Sequence, residues 1–253
     1  MNIAQNFLNI NPYSLKKKDK LEKFLNYINR LTIHHYKNCE IYGKIIKNLK
    51  FKIRKKNKLE NFPMLPVRIF KKHDLQSVPG NKVIKKLVSS GTSGQELSKI
   101  YLDKENARNQ TIVLKKITET ILGNQRLPML IIDQDPKILD RSVFNAKVTA
   151  IYGFSIFGKN YCYLLDKKGN IDYKKLNEFL KRNSHDNFFI FGFTSLVFEN
   201  LIQKLSTKLI YSNFQNGILL HGGGWKKLEK LKINNFNFRK KLFNKIKLKK
   251  IYN

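Results

Sequence analysis

Asn187–Phe193 reads N-F-F-I-F-G-F, seven consecutive residues without a charge and without polar–apolar alternation. A run of that kind must be covered on both faces, so it reads as a strand inside a parallel sheet. It has companions. Met129–Ile132 is a short apolar strand that stops at Asp133, Gly217–Leu220 is another buried strand, and Lys250–Tyr252 begins one more. Ala146–Phe157 and Tyr161–Leu165 read as strands around Gly158. Helices fall between them. Asp103 caps one that runs to about Leu122 and ends at Gly123; Asp172 caps one through Leu180; Thr194–Leu205 and the basic Phe238–Leu248 supply two more. Strands alternating with helices predict an α/β fold with a mostly parallel sheet flanked by helices.

The first part of the chain is different in character. Ser14–Leu49 is helical, with Ser14 after Pro12 as the expected cap and Leu21, Phe24, Leu25, Ile28 and Leu31 at helical spacing. Lys50–Lys58 is a basic run expected to be solvated, and the prolines of Phe62–Val67 exclude a regular helix there. Val83–Val88 and Ser98–Asp103 read as paired strands around the loop S-S-G-T-S-G-Q at Ser89–Gln95. The expected organisation is an N-terminal helical segment over 1–60 and an α/β domain over 61–253.

Two sets of loops carry the chemistry. In Ser89, Ser90, Gly91, Thr92, Ser93 and Gly94, two glycines bracket hydroxyl side chains, so hydroxyls and backbone N–H groups can together cradle a phosphate. The spacing is not that of a Walker A loop, and a plain Ser/Gly hairpin turn is the competing reading. Lys99 is placed to add a cation, with a solvated strand lysine as the favoured alternative. In parallel α/β sheets ligands sit beyond the carboxyl ends of strands. Gly192-Phe193-Thr194-Ser195 and His221-Gly222-Gly223-Gly224-Trp225 both fall there. Three glycines after a buried strand permit close approach of a flat or bulky group. Phe191, Phe193 and Phe198 are candidates to wall an apolar pocket, though aromatic residues on a buried strand are first of all core.

These pieces in this order resemble the adenylate-forming enzymes, and within them the LuxE-type acyl-protein synthetases of bacterial fatty-acid reductase systems. The matching segments are P-M-L-P-V-R-I-F-K at Pro63–Lys71, S-S-G-T-S-G at Ser89–Gly94 followed by S-K-I-Y-L-D, F-G-F-T at Phe191–Thr194, and H-G-G-G-W-K-K-L at His221–Leu228. Glu96-Leu97-Ser98-Lys99 replaces the Pro-Lys of the broader superfamily, which suits the LuxE branch. The resemblance implies ATP and magnesium as cofactors and activation of a carboxylic, long-chain fatty acid to an acyl-adenylate for transfer to a protein thiol. It places Ser89–Gly94 and Lys99 on the phosphates, and Phe193, Thr194, Gly222, Gly223 and Gly224 on adenine or the acyl group. His221 becomes the candidate catalytic residue, and an acyl-CoA reductase-like protein the implied partner. In the family a segment like Lys249–Asn253 runs into a Tyr-Gly-x-x-Glu loop that holds adenine and helps place magnesium. A ribose-binding Asp, a small C-terminal domain and an acyl-accepting Cys follow. The chain is therefore expected to lack these parts and to be weak or inactive alone.

The composition bounds the alternatives. Cys39 and Cys162 make neither a disulfide framework nor a metal pattern, no apolar run reaches membrane-spanning length, and a reduced cytoplasmic protein with no transmembrane segment is expected. The net charge is +32, so the competing class is a nonenzymatic basic protein that binds nucleic acid or an anionic membrane surface. Eight of the fifty basic residues are arginine, and lysines are spread along the chain with no aromatic stacking face among them, which argues against specific nucleic-acid recognition. Binding to DNA or RNA is expected to be sequence-blind and to fall steeply with salt. Competition between unrelated sequences at near-physiological salt checks this. A preference of about a hundredfold, roughly 2.7 kcal/mol, would be the result of a true sequence reader.

Overall fold

A computed structural model describes residues 8–53, 57–88, 96–138, 146–210 and 212–253. The chain divides into two compact units, Met1–Ile121 and Leu122–Asn253.

The first unit opens with helices α1 (Lys17–Asn38) and α2 (Glu40–Asn48). Ser14 does not cap α1: its hydroxyl donates to Asn11 O at 2.7 Å, and Lys16 occupies the cap position without a side-chain bond. Of the apolar positions expected to line α1, Leu21 and Phe24 stay exposed, whereas the polar Asn29 and Thr32 are buried. A reciprocal pair of bonds satisfies Asn29 in its burial: Asn57 N–H donates to its Oδ1 and its amide donates to Asn57 O. The expected hairpin is present. Strands β1 (Val83–Val88) and β2 (Lys99–Asp103) pair antiparallel, Leu87 opposite Ile100 and Val88 opposite Lys99. Asp103 Oδ1 accepts from Asn106 N–H at the start of α3 (Lys104–Leu122), and Gly123 follows with φ +79°, the left-handed turn a glycine permits.

The second unit is a five-stranded sheet in the order β4-β3-β5-β6-β7 with parallel neighbours throughout. Its strands are β3 (Leu127–Gln134), β4 (Gly158–Leu165), β5 (Phe188–Phe193), β6 (Gly217–Gly222) and β7 (Lys250–Tyr252). The helices are α4 (Ala146–Ser155), α5 (Tyr173–Arg182), α6 (Thr194–Val197) and α7 (Asn235–Ile246). Asp172 caps α5 by accepting from Lys175 N–H, as its position requires.

Successive strand residues point to opposite faces, so two cores form. On one face Leu130, Ile132, Leu164, Phe188, Ile190 and Leu219 meet Leu176 and Leu180 of α5, Val197 of α6, and Phe238 and Leu242 of α7. On the other, Met129, Ile131, Phe189 and Phe191 are buried as completely, and Phe154 of α4 stacks on Phe191 with ring centroids 4.4 Å apart.

Two elements differ from the sequence reading. Val148, Thr149 and Ile151 favour a strand over Ala146–Phe157, but Ala146–Ser155 is a helix. It is apolar around most of its circumference, so the helical period is masked, and a parallel β3-to-β4 connection needs a crossover helix in any case. The Thr194–Leu205 helix is α-helical only through Val197 and continues as a π-helix over Phe198–Lys204.

Gly192 is closely packed in the first core. A Cβ there would lie 2.8 Å from the Val197 Cγ2 methyl and 2.9 Å from the branched Ile132 Cβ, both on stiff β-branched side chains. Gly192→Ala is expected to destabilise the protein by about 1–3 kcal/mol through overpacking, read as a lowered midpoint in urea unfolding.

Candidate functional site

The strand order defines where the helical layers part. The chain passes from β3 outward to β4, then returns across β3 to β5, and continues to β6 and β7. The layer therefore changes face between β3 and β5, and a crevice opens beyond their carboxyl ends. Gly192 pairs with His221 and Phe193 with Gly222 in the parallel register, so the ends of β5 and β6 are level.

Thr194 is the first residue of α6 and follows β5 directly. Its Oγ1 lies 3.1 Å from His221 Nδ1, and both side chains are buried. The bond forms in either tautomer, the hydroxyl donating to a bare Nδ1 or accepting from Nδ1–H. The His221 ring packs on Phe238 at 4.6 Å between centroids. Burial, with Arg239 as the second cause, pushes the His221 imidazole down to about 4. It is neutral at pH 7. Beyond it the three glycines differ in role. Gly223 has φ +83°, and a Cβ there would stand 2.9 Å from Phe193 Cδ1. At Gly222 a Cβ would meet nothing within 4 Å, so its missing side chain leaves open space. Gly224 is exposed, and Trp225 turns inward onto Phe198, 4.9 Å away and edge to face.

On the opposite face of the same edge stands Asp133. It is 3 % exposed. Its Oδ1 accepts from Gln134 N–H at 2.8 Å and from Lys147 Nζ at 2.9 Å, while Oδ2 is buried without a donor. In the sequence Asp133 reads only as the residue that stops an apolar strand. The signal available was a carboxylate directly after four buried residues at a carboxyl strand end. Lys147, fourteen positions on and inside a helix that reads as a strand, gave none.

His221, Phe193, Thr194, Gly222, Gly223 and Gly224 are thus brought together at one edge. Ser89, Ser90, Gly91, Thr92, Ser93 and Gly94 lie outside the described residues. Lys99 forms an ion pair with Asp74 at 3.1 Å, and Tyr101 O–H donates to the same carboxylate. Phe191 and Phe198 belong to opposite faces of the sheet and do not wall a common pocket. Cys39 and Cys162 are both buried, and burial pushes the Cys162 thiol up to about 11, which suits the reading of both as ordinary packing residues. Among the described residues no three of His, Cys, Asp and Glu cluster to hold a metal ion, and no helix is long and apolar enough to cross a membrane. A cleft of about 770 Å³ runs along β4, lined by Asn160, Tyr163, Lys175 and Arg182, on the far side of β3 and β5 from His221.

The fold and this edge define a doubly wound α/β protein with a crevice at the carboxyl end of a parallel sheet. The chain matches the family model described as "Acyl-protein synthetase, LuxE" over residues 1–253, and it belongs to that family. No curated protein matches it significantly.

The neutral, buried His221 makes stability depend on pH. The unfolded chain takes up this proton near 6.5, whereas the folded chain resists it to about 4, so the unfolded state binds more protons between those values. Stability is full above pH 6.5 and falls as the pH drops toward 4, by up to about 3 kcal/mol. His35, lowered by burial and by His34, contributes in the same direction. Urea midpoints between pH 7.5 and 4.5 are expected to fall, and to fall less in His221→Gln.

Proposed function

We propose that the protein activates a carboxylic acid with ATP and passes the acyl group to a thiol, with a long-chain fatty acid as substrate. One observation carries the reading: at the carboxyl edge of a parallel sheet, in a member of the LuxE acyl-protein synthetase family, a three-glycine turn is anchored by the Thr194–His221 bond and leaves open space at Gly222.

An acid oxygen attacks the α-phosphorus, the bond to the β-phosphate oxygen breaks, and pyrophosphate leaves. A thiol then attacks the acyl carbon and AMP leaves, the thiol proton going to solvent. Neither step demands a strong acid or base from the protein; both depend on positioning and on stabilising developing charge. Ser89–Gly94 is the proposed grip on the phosphates, through backbone N–H groups and the Thr92 and Ser93 hydroxyls. Gly222–Gly224 let the adenine or the activated acyl group approach the backbone, beside Phe193. His221 is suited to positioning. Uncharged at neutral pH, it ties the end of β6 to Thr194 and so fixes the glycine turn. Lys99 is engaged with Asp74, which favours a structural lysine over a phosphate contact. Magnesium would enter with the nucleotide phosphates and offset their charge. An acyl-CoA reductase-like protein is the proposed recipient of the acyl group.

Exchange of labelled pyrophosphate into ATP, with and without fatty acid, tests the reading. Acid-dependent exchange is expected to be weak in this chain alone, and His221→Gln or Thr194→Val should lower it further, by about tenfold or more, if the anchored turn positions the ligand. Exchange that no acid stimulates would sink the proposal.

A further inference from the structure

We propose that Asp133 is a ligand-binding residue of this edge and that its free oxygen takes a hydrogen bond from an O–H or N–H group of the bound ligand. The proposal deepens the acyl-activating reading and rests on its placement of the ligand at the carboxyl ends of β3, β5 and β6.

The oxygen itself is the first reason. Asp133 Oδ2 is buried and has no hydrogen-bond donor among the described residues, although a buried carboxylate oxygen without a partner is costly and rare. The neighbouring donors are committed. Gln134 N–H and Lys147 Nζ both go to Oδ1. The Gln134 side-chain amide donates instead to Asp166 O and Lys167 O, at 2.9 and 3.0 Å, pinning the loop after β4. Lys137 N–H is taken by Asp135. The local donors are thus directed elsewhere and leave this one acceptor open.

Position supplies the second reason. Ile131 pairs with Phe191, and Asp133 and Phe193 each lie two residues further along their strands. Phe193 pairs with Gly222. The bond from Lys147 of α4 puts Asp133 on the face that Phe191 and Phe193 share, and although β3 is irregular between Ile131 and Gln134, Asp133, Phe193 and Gly222 all lie toward that face at the carboxyl ends of three adjacent strands. Together they combine an acceptor, a half-buried aromatic ring and the open space over Gly222. Across two strand spacings they span about 10 Å, the size of a nucleoside or a short functionalised acid. The ion pair to Lys147 fixes Asp133 in place, so its free oxygen is preorganised.

The required ligand chemistry is a hydroxyl or amino donor. It is present in the ribose and adenine of ATP and in hydroxylated or aminated acids. Asp133→Asn keeps the shape, makes the free position unable to serve as a charged acceptor, and is compared with Asp133→Ala in case either folds poorly. Wild type and variants are titrated with ATP, adenosine, a plain fatty acid and its hydroxylated analogue, and their melting temperatures are measured without ligand. Affinity for at least one donor-bearing probe is expected to fall about tenfold or more in Asp133→Asn, affinity for the plain fatty acid to stay, and the melting temperature to hold or rise. Loss for ATP and adenosine assigns the donor to the nucleotide, and loss for the hydroxylated acid alone assigns it to the acid. Asp133-dependent binding of a donor-bearing acid without any ATP binding would keep this site and remove the ATP-dependent reading. ATP binding unchanged by both variants, with no loss for the hydroxylated acid, would keep that reading and overturn the role of Asp133. A melting temperature lowered in both variants with every affinity intact would make Asp133 structural and likewise overturn it.

Discussion

Burial of β5 on both faces is the constraint from which the second unit follows. Phe188, Phe189, Ile190 and Phe191 are all at most 4 % exposed, and they point alternately to the two sides of the sheet. Helices must therefore lie on both sides. Because α4 covers one face and α5, α6 and α7 the other, the chain has to cross over between β3 and β5. The crevice at that crossing is a consequence of covering an apolar strand, and it exists before any ligand contact is specified. Side chains at the strand ends then inherit a place where the packing stops.

What occupies that place divides by face. Thr194 and His221 lie on the side of α7 and satisfy each other, so their bond stiffens the edge without reaching outward. The neutral state of His221 matters here. A protonated imidazole would need a buried counter-charge, and the nearby charge is Arg239, of the wrong sign. Asp133, Phe193 and Gly222 lie on the other side and are less complete: a free acceptor, a half-buried ring and a missing side chain. A closed face and an open face at one edge is the arrangement expected of a site held rigid from behind.

The fold was legible where burial is continuous and the signal local. Asn187–Phe193 and Gly217–Leu220 stand out as apolar runs, and Asp172 and Gly123 as helix boundaries whose chemistry works within three residues. Ala146–Ser155 was not, because Val148, Thr149 and Ile151 favour strands individually while the helix is fixed by the β3–β4 crossover and by stacking of Phe154 on Phe191. The π-helical continuation at Phe198–Lys204 had no local signal either. At the site, the separate members Thr194, His221 and the glycines were readable from composition and order. Their bond was not: it joins residues 27 apart and depends on the Gly192–His221 register. The Asp133–Lys147 pair was hidden for the same reason, with the added difficulty that its lysine sits on a helix whose residues read as a strand.

The surplus of positive charge fits this chemistry without explaining it. Most described ion pairs include at least one well-exposed side chain and contribute about 0–1 kcal/mol each, so they do not mark a site. Asp133–Lys147 differs, its carboxylate side chain only 5 % exposed. A net charge of +32 gives the chain a field that attracts anions such as ATP and carboxylates and is screened over about 8 Å at physiological salt. Such a field raises encounter rates according to an anion's charge and not its shape. Discrimination has to come from close contacts, and within an attractive field for anions a fixed carboxylate oxygen selects by what it refuses: an anionic group presented to Asp133 is repelled, and a hydroxyl or amine is accepted. In the proposed role, the buried acid orients the ligand by turning its donor-bearing end toward β3.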